Sequence, residues 1–402
     1  MKKLPIGMQD YKELITENFV YVDKTKYLFD MIDSGKFYFI SRPRRFGKSL
    51  TVSALYYLFN GEMELFKDTW IYDKWEFKEY PVIKISMADI DTTDRKSVEE
   101  SLKLKLTKIY NEHNIIPRTD LLKIMFSDLI EELAKKEKVA LLIDEYEKPI
   151  LDHLQDKETA EAIRSLLRNF YIVIKGSDQY LKFVFMTGIT KFTKTGVFSA
   201  LNNLNELTTD EKYSEMFGYT QEELDGYFKE YIDDISIETK QERSEIIAKI
   251  KEYYDGFSFD GKHFVYNPFS ILNYFSKREL RNYWMQSGSP SFIIDYAKLH
   301  LLDPYNYLHT YIREDRLTSY EIESAPPESF LVQSGYLTFK EKHETLGYLL
   351  DYPNKEVQNS FSELILLGTF DMNEMTENSI VTEILMGFEE HDFGKVFEQM
   401  NR

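Results

Sequence analysis

The chain has 402 residues, with 29 Phe, 29 Tyr, 3 Trp, no cysteine and 68 acidic against 50 basic side chains, for a formal charge of −18. That length suggests two or three domains of roughly 100–200 residues each. The missing cysteine removes disulfides, thiol nucleophiles and cysteine-held zinc or iron–sulfur sites, the acid excess argues against a broad nucleic-acid surface, and no segment approaches the ~18 apolar residues of a membrane span.

The seven histidines are scattered, with no His-Glu-x-x-His arrangement, so a metal held by protein groups alone is not expected. The N-terminus lacks the apolar run of a signal peptide, and the expectation is a cytoplasmic protein.

In chain order, Asp23 is placed to cap a helix carrying Tyr27, Leu28, Met31 and Ile32, which ends near Ser34-Gly35. Lys36 to Ile40 is a short aromatic run that fits a buried strand. Arg42-Pro43-Arg44-Arg45-Phe46-Gly47-Lys48-Ser49 follows, leading into a helical pattern with Leu50, Ala54, Tyr57 and Leu58 on one face. Tyr80 to Met87 reads as a second strand, and two charged amphipathic helices are expected between about Val98 and Lys138.

Val139-Ala140-Leu141-Leu142-Ile143, ended by Asp144-Glu145, has the pattern of a central parallel strand buried on both faces. A helix from about Glu158 to Lys175 then leads to an apolar strand, Leu181 to Met186, ended by Thr187-Gly188. Strands alternating with helices over the first 210 or so residues predict an α/β domain with a parallel sheet. Beyond about Phe217 charged helical stretches dominate. One hairpin is expected where Asp260-Gly261 joins Phe257-Ser258-Phe259 to His263-Phe264-Val265-Tyr266, with Ser270 helping to start the next helix.

A phosphate-binding loop needs a strand-to-helix turn with converging N–H groups, a lysine for the terminal phosphates and a hydroxyl for magnesium. Gly47-Lys48-Ser49 supplies these in the required context, with Arg44 and Arg45 able to add charge and Phe46 part of the same turn. The first glycine of the usual spacing falls at position 42, which is Arg42, and Pro43 has no N–H to offer. A lone Gly-Lys-Ser also fits a basic surface turn before a helix. The second half of the constellation changes that balance. Asp144 and Glu145 close a buried strand, where one carboxylate can support magnesium and the other can orient water.

Thr187, at the next strand's end, stands where a polar γ-phosphate sensor would be, and is equally an ordinary turn residue. Lys191 and Lys194 follow in the same loop. Arg164 and Arg168 fit arginine fingers toward a neighbouring subunit, or a solvated helix face. The aromatic segments Tyr253 to Phe257 and Tyr266 to Ser270 fit either a small core or a recognition surface.

Several motifs in one order resemble the bacterial AAA-ATPase-like family. They are Tyr21-Val22-Asp23-Lys24-Thr25, the Arg42 to Ser49 loop, Leu142-Ile143-Asp144-Glu145-Tyr146, Thr187-Gly188-Ile189-Thr190-Lys191-Phe192, Phe198 to Leu204, Tyr254-Asp255-Gly256-Phe257 and Tyr266 to Ser270. The resemblance implies a P-loop NTPase that binds ATP and Mg2+. Lys48 and Ser49 would meet phosphate and magnesium, Asp144 would support the magnesium and Glu145 would activate water. It also implies a C-terminal PD-(D/E)xK nuclease domain in many relatives. Here the acid-x-Lys half is missing: after Asp351 the only lysines are Lys355 and Lys395, and neither lies two residues after an acid.

The expected organisation is a P-loop domain over 1–215, a mainly helical domain over 216–350 and a helical tail over 351–402 standing where relatives carry the linker to a nuclease. The expected function is a slow ATPase switch acting with a protein partner, a nuclease among the candidates, and as an oligomer in one form of that reading. The alternative is a scaffold that holds a nucleotide or other anion without hydrolysis.

Overall fold

In the computed structural model, the described residues are 1–190, 201, 203–286, 293, 294, 296, 306–317 and 326–361. The chain opens with α1 (Tyr11–Thr16), α2 (Thr25–Ser34), β1 (Phe37–Ser41) and α3 (Lys48–Phe59), followed by β2 (Val82–Ser86), α4 (Arg95–Glu112) and α5 (Leu122–Ala134). Next come β3 (Val139–Asp144), α6 (Lys148–Leu151), α7 (Lys157–Gly176), β4 (Leu181–Gly188) and β5 (Asn205–Glu206). The five strands form one parallel sheet in the order β2-β3-β4-β1-β5.

Every residue of β3 is buried, as expected of a strand with β2 on one side, β4 on the other and helices over both faces. The helix α7 shows how the sequence builds that cover. Asp156 caps its start by accepting from Thr159 N–H, and Ala160, Ile163, Leu166, Leu167, Phe170 and Ile174 recur at helical spacing on its buried face. Phe170 stacks on Phe126 of α5 with centroids 4.3 Å apart.

The C-terminal part continues with α8 (Gln221–Tyr227), α9 (Lys229–Thr239), α10 (Arg243–Tyr254), α11 (Pro268–Lys277) and α12 (Tyr283–Gln286). A second core joins α8 to α12 and takes in Val20 and Val22 from the N-terminal segment. After it come β6 (Tyr311–Ile312), α13 (Pro327–Ser334), β7 (Thr338–His343) and β8 (Gly347–Asp351), the strands forming an antiparallel sheet in the order β6-β8-β7. A short helical stretch, 355–361, ends the described chain.

Local expectations are corrected in four places. The α2 cap residue is Lys24; Asp23 instead accepts from Thr25 N–H at 2.8 Å and from Trp70 N–H at 2.6 Å, tying the helix start to a distant loop. Asn267, not Ser270, caps α11, with Pro268 in the first turn, where its missing N–H costs nothing.

The expected hairpin is a single antiparallel bridge, Phe257 to Val265. Asp260 folds the intervening loop onto itself by accepting from Lys262 and His263 N–H, so no two-residue turn forms. The antiparallel sheet containing Thr338–His343 was not expected. Only its first two residues are buried, and the Lys340-Glu341-Lys342 run gives no apolar alternation to read.

No helix among the described residues is long and apolar enough to cross a membrane. The tail beyond 361, Lys191, Lys194 and most of the Phe198 to Leu204 motif lie outside the described residues.

Candidate functional site

The sheet order decides what can meet. Since β4 lies between β1 and β3, the loop after β1, the end of β4 and the acidic end of β3 share the carboxyl edge of three consecutive strands. That edge is where open α/β sheets place their ligand crevice.

Gly47 is the residue before α3 and has φ +92, a left-handed conformation that favours glycine. Arg45 is also left-handed at φ 68, so the turn is sharp despite having one glycine. Lys48 opens α3 and is buried, its ammonium donating to the carbonyls of Arg42 at 2.9 Å and Pro43 at 2.8 Å. Burial lowers its pKa, opposed by the charges of Asp144, Glu145 and Glu147. Ser49 follows Lys48 at the start of α3 and lies near the buried Asp144 carboxylate, whose pKa it draws down. Burial raises the Asp144 pKa, and Ser49 and Lys48 pull against it.

Glu145 has φ 52, an uncommon backbone for glutamate, and its N–H donates to Asp144 Oδ1 at 3.0 Å. Its pKa is raised by burial and then by the Asp144 charge.

A cavity of 430 Å³ opens over this loop. Its wall includes Arg44, Arg45, Phe46, Gly47, Lys48, Ser49, Glu145 and Glu147, together with Tyr21, Leu28, Phe217, Tyr219, Phe269 and Leu272. Asp144 and Thr187 are not on its wall. Thr187 is fully buried at the end of β4, and its hydroxyl has no hydrogen-bond partner among the described residues. Arg164 pairs with Glu161 on its own helix, and Arg168 is exposed. Among the described residues no group of three or more His, Asp or Glu could hold a metal by itself.

Arg42, at the first-glycine position, takes no part in the cavity wall. Its side chain is 1% exposed and points away from the cavity, donating to the carbonyls of Ser41 (2.9 Å), Thr208 (2.8 Å) and Tyr213 (3.0 Å). The guanidinium lies over the Phe259 ring at 3.9 Å, and burial brings its pKa down to about 9. The residue in the first-glycine position is a structural anchor.

Sequence reasoning missed two groups of residues. Glu147 follows the acidic pair within Asp144-Glu145-Tyr146-Glu147, a third carboxylate that was available as a signal. The aromatic segments of the C-terminal part are the second group, because they meet the loop directly. The Phe46 ring is buried against Phe257 (4.9 Å) and Phe259 (5.7 Å), and Arg45 lies over Phe269 at 5.0 Å. The Trp284 indole N–H donates to the Arg44 carbonyl at 3.1 Å. A Cβ on Gly335 would stand 2.7 Å from Pro43, so glycine there lets α13 close on the loop.

The family described as predicted AAA-ATPase matches residues 5–198, which hold every part of the loop, the acidic end of β3 and Thr187. An uncharacterized protein in the vnfD 5′ region of Azotobacter chroococcum mcd 1 is 36% identical over 374 residues, covering 91% of this chain and 70% of that protein. The chain belongs to the AAA-ATPase-like family. The likeness to that AAA-ATPase-like relative runs well past residue 198, so it takes in C-terminal sequence that the family match leaves out. No solved structure matches the chain.

Proposed function

We propose that this AAA-ATPase-like chain binds Mg-ATP in the Lys48 cavity and hydrolyses it slowly, as a nucleotide-dependent switch. The observation that carries the reading is the meeting of the Lys48–Ser49 start of α3 with the acidic end of β3 at one sheet edge, close enough for Asp144 and Glu145 to act on Lys48 and for Ser49 to draw down the Asp144 pKa. Hard oxygen donors of this kind suit magnesium with phosphate and water completing its shell. Ser49 and Asp144 would hold the ion, which when bound neutralises charge on the phosphate oxygens.

The remaining roles belong to the chain's own residues. The amides at the start of α3 and the Lys48 ammonium meet the phosphates, Lys48 leaving the Arg42 and Pro43 carbonyls to do so. Arg44 and Arg45 add charge on the cavity wall, and apolar side chains such as Leu28, Phe217 and Leu272 receive the base. Glu145 orients a water whose oxygen bonds to the γ-phosphorus as the bond to the bridging oxygen breaks; the proton passes to Glu145, leaving ADP and phosphate. The Thr187 hydroxyl has a hydrogen bond free to give a γ-phosphate oxygen once the turn that carries it faces the cavity.

Turnover is slow in this reading because, among the described residues, Arg44 and Arg45 of the loop itself are the only arginines on the cavity wall. Switching follows from the aromatic seat of the loop: movement of Arg44 to Phe46 is felt at Trp284, Phe257 and Phe259. A partner protein, a nuclease included, would read the C-terminal part. The lysine held on its own loop's carbonyls also favours a second reading, a scaffold that binds nucleotide without hydrolysis.

The test measures melting temperature with and without Mg-ATP, and phosphate release, for the native chain, Lys48→Ala and Glu145→Gln. Ligand at 100 times its Kd stabilises the folded state by about 2.7 kcal/mol. Lys48→Ala is expected to lose that shift; Glu145→Gln is expected to keep it and lose turnover. No shift at millimolar ATP sinks both readings, and a shift without phosphate release selects the scaffold.

A further inference from the structure

Glu147 has no part in the roles assigned above, yet it is 1% exposed and lines the same cavity as Lys48. Its Oε1 accepts from the backbone N–H of Thr190 at 3.0 Å and from that of Ile189. Its Oε2 is buried and has no partner among the described residues. The carboxylate occupies the space beside Gly188: a Cβ at that glycine would collide with it. The glycine after Thr187 therefore exists to admit this side chain.

Tyr146 binds the same turn from the preceding position. Its N–H donates to the Thr187 carbonyl at 3.2 Å, and its hydroxyl donates to the Thr190 carbonyl at 2.9 Å. Two consecutive residues after the Asp144-Glu145 pair thus fix both ends of the 187–190 turn. The hydroxyls of Thr187 and Thr190 are themselves buried without partners among the described residues. A turn held so firmly by its main chain, with its hydroxyls unused, is held for something those hydroxyls do next.

We propose that Glu147 is a positioning residue for phosphoryl transfer, its carboxylate setting the Thr187 to Thr190 turn against the nucleotide through the Ile189 and Thr190 amides. This rests on the reading of the Lys48 cavity as an ATP site. The charged group acting on it is Lys48 from α3, which Asp144 and Glu145 from the end of β3 and Arg44 from the loop act on in turn, while Tyr171 of α7, which feels the Glu147 charge, donates its hydroxyl to the Tyr146 carbonyl at 3.2 Å. Burial pushes the Glu147 carboxyl up to about 7, the amide donors and Lys48 drawing it down. The ionised form grips the two amides more strongly, because hydrogen bonds to a charged acceptor are roughly twice as strong as neutral ones. Activity then rises as pH passes through neutrality.

The experiment compares the native chain with Glu147→Gln, which keeps the shape and an acceptor oxygen but not the charge. Glu147→Asp keeps the charge but falls one methylene short of the amides. Lys48→Ala is the control for the site itself. Each is read by melting temperature with and without Mg-ATP, by kcat and KM, and by the pH dependence of kcat from 5.5 to 9.

Both Glu147 variants are expected to keep the Mg-ATP shift and a KM within about threefold of native, while kcat falls about 10- to 100-fold. The step in kcat near pH 7 is expected to vanish in Glu147→Gln. Native kcat in both variants, or an unaltered pH profile in Glu147→Gln, overturns the proposal and leaves the ATP reading intact. Should one variant fail to fold, the other decides. A native chain that binds Mg-ATP without releasing phosphate overturns it too, since there is then no transfer to position. A native chain with no Mg-ATP shift, or one that Lys48→Ala leaves in place, overturns the ATP reading and this proposal together.

Discussion

Arg42 stands where a phosphate loop of the common spacing has glycine, and its surroundings explain why arginine serves there. Its neighbours with positive φ are Arg45 and Gly47, so the turn's left-handed residues lie further along and position 42 can carry a side chain. That side chain serves three carbonyls of three segments, Ser41, Thr208 and Tyr213, and stacks on Phe259 with Asp260 supplying the opposing charge. Arg42→Ala takes the guanidinium donors away from those carbonyls and opens a cavity against the Phe217 and Phe259 rings. The expected loss of stability is about 3 kcal/mol or more, read from urea unfolding. The folded fraction of Arg42→Ala should still bind Mg-ATP, whereas Lys48→Ala should fold and not bind. A stable Arg42→Ala that has lost only nucleotide affinity would place Arg42 in the phosphate site.

At the scale of elements, the C-terminal helices are joined by a buried acid. Glu356, in the stretch 355–361, accepts from the Ser270 hydroxyl of α11 (3.0 and 2.8 Å) and from the Trp284 N–H of α12 (2.8 Å). Burial raises its pKa to about 8, its donors pulling the other way. Unfolded, the carboxyl returns to the ordinary range near 4.5. The folded chain therefore holds this proton more tightly than the unfolded chain between about pH 4.5 and 8, and stability falls as pH rises through that window. Glu356→Gln removes the titration. Relative to native, its melting temperature is expected to climb from pH 5 to pH 9, the difference being worth on the order of a few kcal/mol. A constant difference across that range would show that Glu356 does not titrate there. The elements themselves were unevenly legible in the sequence. β3 and α7 could be read because apolar residues are continuous in one and periodic in the other. β7 could not, because its Lys340-Glu341-Lys342 half faces solvent and looks like any charged stretch. Caps slipped by a residue where two polar candidates were adjacent, as at Asp23 and Lys24.

For the molecule as a whole, the chemistry of the loop was readable from residue types in order, since Lys48, Ser49, Asp144 and Glu145 each follow or close a recognisable strand. What covers the loop was not, because Phe257, Phe259, Phe269, Trp284 and Gly335 lie over two hundred residues away and meet it only through tertiary packing. Those contacts set up a direct optical test of coupling between the two parts of the chain. The protein has three tryptophans. Trp70 packs on Phe29 and Trp75 on Phe59, and neither lines the cavity. Trp284 donates its indole N–H to the Arg44 carbonyl and packs against Phe257 (6.0 Å) and Tyr336 (5.1 Å). If Mg-ATP draws Lys48 away from the Arg42 and Pro43 carbonyls, the next peptide along the loop shifts and the indole changes its hydrogen bond. Tryptophan emission should then change on adding Mg-ATP to the native chain. Trp284→Phe keeps an aromatic ring in place, should cost about 1 kcal/mol for the lost hydrogen bond, and should abolish most of that emission change while retaining the Mg-ATP melting shift. An emission change that survives in Trp284→Phe would mean that the loop moves without the C-terminal part, and the switch reading would lose its mechanical link.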